Sequence, residues 1–385
     1  MPNLASRFDR LPPYPLADVP VIRRELRAKG VDVIDLGAGD ADLAPPPAAV
    51  RAMAEATADP SMSRYPFQLG LPTCREAVAA WMRKRFGVEL DPYQEVLPLI
   101  GSKEGLAHLA FCYVEAGSTT IVPDPGYQAY LGGTVLAGGE PYLVPLRPEH
   151  DFLIPPAALP EDVVRRARIL YLNYPNNPTA ASAPRAYLEE VVAFCREHDI
   201  VLAYDNAYSE IAFDGYRPPS ILEIEGARDV AIEFHSLSKT YNMTGWRIGW
   251  AAGSRALVSA LSRAKTFVDT GVFLGVQAAA RACLENYDDW VPGNVAQFQE
   301  RRDALAEALR GQGFDVTVPN ATMYLWLPVP GGASEPFARR ALVEQGVVVM
   351  PGAALGAGGE GFFRVALTQP AARLREAAER LGRLL

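Results

Sequence analysis

Val230-Ala231-Ile232-Glu233-Phe234-His235-Ser236-Leu237-Ser238-Lys239-Thr240-Tyr241-Asn242-Met243-Thr244-Gly245-Trp246-Arg247 is an apolar run that passes into a hydroxyl-rich loop. Residues 230–234 read as a buried strand. The loop behind it holds a lysine preceded by two serines, with an arginine further on. A lysine among hydroxyls at a strand end can serve as a Schiff-base amine, and serines with an arginine suit a dianionic phosphate. A solvated loop lysine beside an ordinary surface arginine is the competing reading. The rest of the chain decides between them.

The same strand-then-loop pattern recurs on the N-terminal side. Residues 119–122, 169–172 and 200–204 are short apolar runs, and 183–198 has the period of a helix between two of them. Continuous apolar strands separated by helices indicate an α/β fold with a mostly parallel sheet covered on both faces. Ligands of such sheets sit beyond the carboxyl ends of the strands. Asp124, Asn177, Asp205 and Lys239 each fall just after one of these runs.

Further outward, Leu11-Pro12-Pro13-Tyr14-Pro15 reads as an extended arm, followed by a helix over 20–29 that Gly30 would end. Val33-Ile34-Asp35-Leu36 leads to the turn Gly37-Ala38-Gly39-Asp40. Helices are expected over 72–86 and 103–114; Gly101-Ser102 before the second makes its N-terminus a site for an anion. Beyond 274 come helices over 276–285 and 295–311. A strand over 324–327, a helix from the N-cap Ser334 to 346, strands over 347–349 and 362–367, and a closing helix from 370 follow. The division expected is a large cofactor-binding domain over 46–274, with 1–45 and 275–385 forming an arm and a small α+β domain.

With 385 residues, 49% of them hydrophobic, the chain has ample core for such domains. A net charge of −8 without a long Lys/Arg cluster argues against a nucleic-acid surface. No apolar run approaches the roughly 18 residues of a membrane span, and residues 1–10 lack the apolar core of a secretory leader, so a cytoplasmic location is expected. Cys74, Cys112, Cys195 and Cys283 are scattered and read as reduced core thiols, and the four histidines are equally dispersed, so no metal site is expected.

Polar residues at other strand ends fit pyridoxal phosphate, which needs an amine for its aldehyde and a grip on its phosphate. Asp205 would keep the pyridine nitrogen protonated; a turn-capping aspartate is the alternative. Tyr208 and Asn177 could reach the ring hydroxyl, and Tyr127 could stack on the ring. Arg364 lies in an apolar strand, where a charge needs a partner: a substrate carboxylate, or an internal acid. Gly356-Ala357-Gly358-Gly359-Glu360-Gly361 matches G-x-G-x-x-G but runs into a strand rather than a helix, so it is no dinucleotide motif.

Taken together and in this order, these residues resemble the class I/II aminotransferases. That resemblance implies fold type I: a large domain with a mostly parallel, seven-stranded sheet between helices, plus a smaller α+β domain. It implies that Lys239 forms an internal aldimine with pyridoxal 5'-phosphate and shuttles the proton at Cα. Ser236, Ser238 and Arg247, with the backbone of Ser102 and Lys103, match the family's phosphate cup. Tyr65, in Arg64-Tyr65-Pro66, resembles the tyrosine that reaches the neighbouring subunit's phosphate, which implies a homodimer with shared active sites. Tyr127, Asn177, Asp205 and Tyr208 match the ring-binding positions, and Tyr14, Gly39, Asn177 and Arg364 the substrate-binding ones.

Within that family, Ile100-Gly101-Ser102-Lys103-Glu104-Gly105, Tyr174-Pro175-Asn176-Asn177-Pro178-Thr179 and Asp205-Asn206-Ala207-Tyr208-Ser209-Glu210 resemble the LL-diaminopimelate aminotransferase group. The activity implied is transfer of an amino group from an L-amino acid to 2-oxoglutarate or pyruvate. Phe267, Met350 and Ala353-Ala354-Leu355 stand where relatives carry more polar or aromatic residues. Those apolar replacements point to alanine or another apolar donor, and a lyase or synthase on the same fold is a further alternative.

Overall fold

The structure, a computed structural model, describes residues 2–12, 19–67 and 69–385. Tyr14 and most of the expected arm lie outside the described residues. In chain order the strands are β1 (Ile34–Asp35), β2 (Val96–Leu99), β3 (Thr119–Asp124), β4 (Glu140–Pro145), β5 (Ala167–Asn173) and β6 (Val201–Asp205). They continue with β7 (Ala231–Ser236), β8 (Gly249–Gly253), β9 (Tyr324–Pro328), β10 (Val347–Val348), β11 (Met350–Pro351) and β12 (Phe362–Ala366).

Seven of these form one sheet in the order β2-β8-β7-β6-β5-β3-β4. β3 to β7 pair in parallel, and β8 runs against both of its neighbours. Side chains alternate across each strand, so a strand covered on both faces must be apolar at every position. Leu170 and Leu172 of β5 join one core with Val191 and Cys195 of the helix Arg185–Glu197. Ile169 and Tyr171, alternating with them in sequence, join the opposite core with Leu106 and Leu109 of the helix Ser102–Tyr113. Fully burying a leucine of this kind contributes about 2 kcal/mol.

Three strands of this sheet were not expected: β2, a four-residue run broken by Pro98 at the sheet's edge, together with β4 and β8. β4, with Pro141 and Pro145, and β8, Gly-Trp-Ala-Ala-Gly, lack the usual strand signature. Proline is tolerated in β4 because it is an edge strand. β8 is small because its surroundings are tight: a Cβ on Gly249 would lie 2.4 Å from the His235 carbonyl oxygen and 3.0 Å from the Ser102 nitrogen.

The remaining strands build a second body. β1 pairs with β10 in parallel, and β11-β12-β9 form an antiparallel sheet. Phe298, Leu305 and Leu309 of the helix Tyr287–Gly311 cover it together with Phe337, Leu374 and Leu381. That helix starts at Tyr287 rather than 295, because Pro292 and Gly293 resemble a break in sequence yet lie within the helix. Ser334 is not the expected N-cap. The helix Ser334–Gln345 takes Ala333 as its cap, and the Ser334 hydroxyl donates to Glu360 Oε2 at 2.7 Å. The helix Leu274–Glu285 packs on helices Pro47–Ala58 and Pro72–Phe86, inside the large sheet's core.

Glu104, His108 and Asp269 approach one another closely enough to suggest a cation. The space between them is taken by the buried Lys265 ammonium, 2.5 Å from Glu104 Oε1 and 3.1 Å from Asp269. The cluster is therefore an ion-pair network fastening the helices Ser102–Tyr113 and Arg255–Thr266 together.

Candidate active site

Register sets the site. Asn173 of β5 lies opposite Asp205 of β6, and Ser236 at the end of β7 lies opposite Gly249 of β8. Neighbouring parallel strands thus deliver their terminal polar residues to one edge of the sheet, and β7 continues directly into the short turn Leu237–Thr240 that carries Lys239. Leu237, Ser238 and Thr240 are buried there, which holds the turn in place, and Ser236 Oγ caps it by accepting from the Ser238 N–H at 3.2 Å. The half-buried Lys239 ammonium donates to the Gly39 carbonyl oxygen.

On one side of this lysine lies an anion cradle. The helix Ser102–Tyr113 begins after Gly101, whose φ of 74° requires glycine. A Cβ there would also stand 2.4 Å from Arg247 Nη2. Arg247 Nη1 donates to the Thr244 carbonyl at 2.7 Å and approaches Ser238 Oγ at 3.5 Å. The guanidinium is thereby fixed against a helix N-terminus, whose first N–H groups have no partner within the helix. Burial, and then the charge of Arg247, hold the Lys103 ammonium below its usual range. That proximity of positive groups is one a dianion would relieve.

Asp205 marks the centre. Its Oδ2 accepts from the Tyr130 hydroxyl at 2.7 Å, while among the described residues its buried Oδ1 has no hydrogen-bond partner. Burial raises this carboxyl to about 6, against the opposing effects of Tyr130, the Ala207 backbone and His235. A protonated ring nitrogen is the kind of group that would satisfy Oδ1 and stabilise the ionised form. Asn173 Nδ2 donates to the Asp205 carbonyl at 2.7 Å, and Asn173 Oδ1 accepts from the Asn177 N–H at 2.8 Å. One buried amide therefore ties the two loops that carry Asp205 and Asn177.

The second body closes the other side. Arg364 in β12 donates to Asn177 Oδ1 at 2.6 Å and to the Gly37 carbonyl at 2.8 Å. Its buried Nε has no partner among the described residues. Among the described residues no internal acid pairs with it, so the donor is placed for a carboxylate from outside. Because Arg364 engages the Asn177 oxygen, the Asn177 amide N–H is left as a donor. Tyr208 reaches Tyr324, with their hydroxyl oxygens 3.1 Å apart. Gly39 is held so close that a Cβ would sit 2.0 Å from the Tyr324 hydroxyl. Tyr127 caps the helix Gln128–Leu136 beneath the Lys103 ammonium, 5.7 Å from its ring centroid.

The glycine-rich segment 356–361 serves this geometry too. Gly358 donates its N–H to Asp124 Oδ2 at 3.0 Å, and a Cβ on Gly356 would meet Asp124 Oδ1 at 1.8 Å. These glycines allow the second body's loop to press against the end of β3. Among the described residues expected at the site, Tyr65 stands apart, 73% exposed and with its ring 6.3 Å from that of Phe67. Tyr130, Asn173 and Tyr324 are site residues that sequence reasoning missed. Asn173 closes an apolar run as Asp205 does, a signal that was available; Tyr130 and Tyr324 read as ordinary aromatics of a helix and a strand.

The family model described as aminotransferase class I and II matches residues 31–381. The chain is 51% identical over 378 residues to an LL-diaminopimelate aminotransferase of Desulforudis audaxviator, covering 98% of this chain and 96% of that protein. A protein of the same name from Nitratidesulfovibrio vulgaris is 48% identical over 384 residues, covering 99% of both. Among solved structures, a probable N-succinyldiaminopimelate aminotransferase of Thermus thermophilus is 40% identical with a TM-score of 0.90, covering 95% of this chain and 99% of its own. A mutant aspartate aminotransferase of Thermus thermophilus is 29% identical with a TM-score of 0.92, covering all of both chains.

Proposed function

This chain belongs to the aminotransferase class I and II family, and from that premise we propose that it holds pyridoxal 5'-phosphate on Lys239. It is an aminotransferase of the LL-diaminopimelate aminotransferase type with a fold of type I, acting on small molecules, an amino acid and a 2-oxo acid. We take the donor to be LL-diaminopimelate and the acceptor 2-oxoglutarate or pyruvate. The observation that carries the cofactor reading is the buried, unpartnered Asp205 Oδ1 at the strand edge from which Lys239 is presented.

When bound, the cofactor supplies an aldehyde carbon for the amino group and a ring that accepts electrons from the Cα–H bond. The chain's own residues do the rest. Arg247, Ser236, Ser238 and the N–H groups of Ser102 and Lys103 hold the phosphate. Asp205 keeps a proton on the ring nitrogen, and Tyr208 and the Asn177 amide hold the ring hydroxyl. Tyr127 covers the ring face. Arg364 would grip the substrate α-carboxylate, with Gly39 at that end. The Lys239 amine would move the proton at Cα.

The apolar residues Phe267, Met350 and Leu355 suggested an apolar donor, but relatives about half identical over nearly the whole chain do not favour that alternative. A donor panel tests the choice. LL-diaminopimelate with 2-oxoglutarate is expected to exceed alanine and aspartate in kcat/KM by about 100-fold or more, the scale on which buried polar contacts discriminate. An equal rate with alanine overturns the substrate reading, and no 2-oxo acid from any donor overturns the reaction.

The active unit we propose is a homodimer in the cytoplasm. Tyr65, Phe67, Leu69, Phe267, Val268 and Phe273 are exposed, and the 65–71 loop is tied to the helix Leu274–Glu285 by the Leu71 N–H donating to Gln277 Oε1 at 2.8 Å. An apolar patch of this kind is what a partner surface covers. Sedimentation is expected to give a dimer; a fully active monomer contradicts it. Among the described residues, no helix is long and apolar enough to cross a membrane. For the domains we move the expected boundary from 274 to 285, because the helix Leu274–Glu285 packs on the large body, which gives 46–285 against 1–45 and 286–385.

A further inference from the structure

Tyr324 is wholly enclosed at the point where three functional groups converge. Its ring lies under the Arg364 guanidinium, 4.1 Å from carbon to centroid. Its hydroxyl is 3.1 Å from that of Tyr208, and the Gly39 backbone, whose carbonyl receives the Lys239 ammonium, is packed against that same hydroxyl. A core tyrosine at the end of β9 needs none of this: phenylalanine would fill the volume with no hydroxyl to satisfy. The geometry instead places one phenol between the group that takes the substrate carboxylate and the group that faces the ring hydroxyl.

We propose that Tyr324 is a positioning residue whose ring fixes the Arg364 guanidinium and whose hydroxyl shares a proton with Tyr208, so that a carboxylate captured at Arg364 is felt at Tyr208. This inference rests on the reading of Arg364 as the carboxylate site. The charged and titratable groups that face the pair are Arg364 from β12, Lys239 from the turn after β7, and Asp205 at the end of β6. Burial alone would raise Tyr324, but the Arg364 charge, the Lys239 charge and the Tyr208 hydroxyl outweigh it and hold the phenol below its ordinary value. Burial keeps Tyr208 well above its own. Either hydroxyl can donate across the contact between them. A carboxylate on Arg364 offsets one of the positive charges that hold the Tyr324 phenol low, so its ionisation moves to higher pH.

Variants of the full chain separate these roles. Tyr324→Phe keeps the ring under Arg364 and removes only the hydroxyl. Its kcat is expected to fall about tenfold, the scale of one hydrogen bond, with KM for the amino donor unchanged. Tyr324→Leu removes the ring as well, and its KM is expected to rise about tenfold in addition, the scale of a desolvated cation–π contact. A second readout needs no turnover: ultraviolet titration of the phenols with and without succinate as the carboxylate probe. In the wild type, succinate is expected to move the first phenol ionisation to higher pH, and in Tyr324→Phe that movement is lost. Wild-type kcat together with an unchanged succinate effect in Tyr324→Phe overturns the proposal. Arg364→Lys tells the two readings apart. If it binds succinate as tightly as the wild type, the carboxylate assignment fails and this inference with it. If it loses succinate while Tyr324→Phe behaves as wild type, this inference alone fails.

Discussion

Replacing Lys239 with alanine is expected to lower the rate of amino transfer by about 10⁴-fold or more, beyond the range of a single general base, while leaving the fold intact. The lysine has two tasks in the account, covalent attachment of the cofactor and movement of the proton at Cα, and no other group at the site is placed to take over either. Its structural role is slight. The turn is held by buried Leu237, Ser238 and Thr240, and the ammonium has its contact with the Gly39 carbonyl on a half-buried side chain. Circular dichroism and thermal unfolding of Lys239→Ala should match the wild type within experimental error, whereas donor turnover should vanish. A variant that turns over at even a hundredth of the wild-type rate would remove the lysine from the chemistry.

Asp205→Asn is expected to lower amino transfer by about 10³-fold, the scale of a preorganised electrostatic contact, and to stabilise the cofactor-free protein. Burial raises this carboxyl from 3.8 to about 6 in the fold. Each tenfold change in proton affinity is about 1.4 kcal/mol, so ionising Asp205 in the cofactor-free fold costs roughly 3 kcal/mol. The sign follows from linkage. Below pH 3.8 the carboxyl is protonated in folded and unfolded chains alike and the cost is absent. It grows as pH rises through the interval and is complete above about 6. Asparagine, which never ionises, still offers an oxygen to Tyr130. The variant should therefore unfold at a higher denaturant concentration at pH 8 and lose that advantage towards pH 4. Equal stability at both pH values contradicts the burial argument; unchanged turnover contradicts the role at the ring nitrogen. Function and stability are opposed at this residue, as expected where a buried charge awaits a partner that the chain does not itself provide.

Much of the site was legible because α/β sheets collect function at strand ends. Apolar runs are strong local signals, and Asp205 and Lys239 could be placed by finding where each run stops, with Asn177 a few residues further on. The runs missed include those whose composition answers to something other than strand propensity: Gly249–Gly253 is small because the Ser102 N-terminus and the His235 carbonyl press on it, and Val96–Leu99 and Glu140–Pro145 tolerate their prolines because each lies at an edge. Ser334 was misread for a related reason. Its hydroxyl is claimed by Glu360, 26 residues away in sequence, and no local pattern reports a partner that distant. Tyr324 and Tyr130 were hidden because a buried aromatic in a strand or helix looks like core until the opposing elements are known. Arg364 was the reverse case: a charge in an apolar strand signals a partner at any distance.

The central claim is that Lys239 carries the cofactor. Borohydride reduction of the purified protein supplied with pyridoxal 5'-phosphate, followed by peptide mass analysis, tests it most directly. The account predicts a single reduced cofactor adduct, on the peptide containing Lys239, and none in Lys239→Ala. An adduct on another lysine, or an unmodified Lys239 peptide in protein that transfers amino groups, would contradict it.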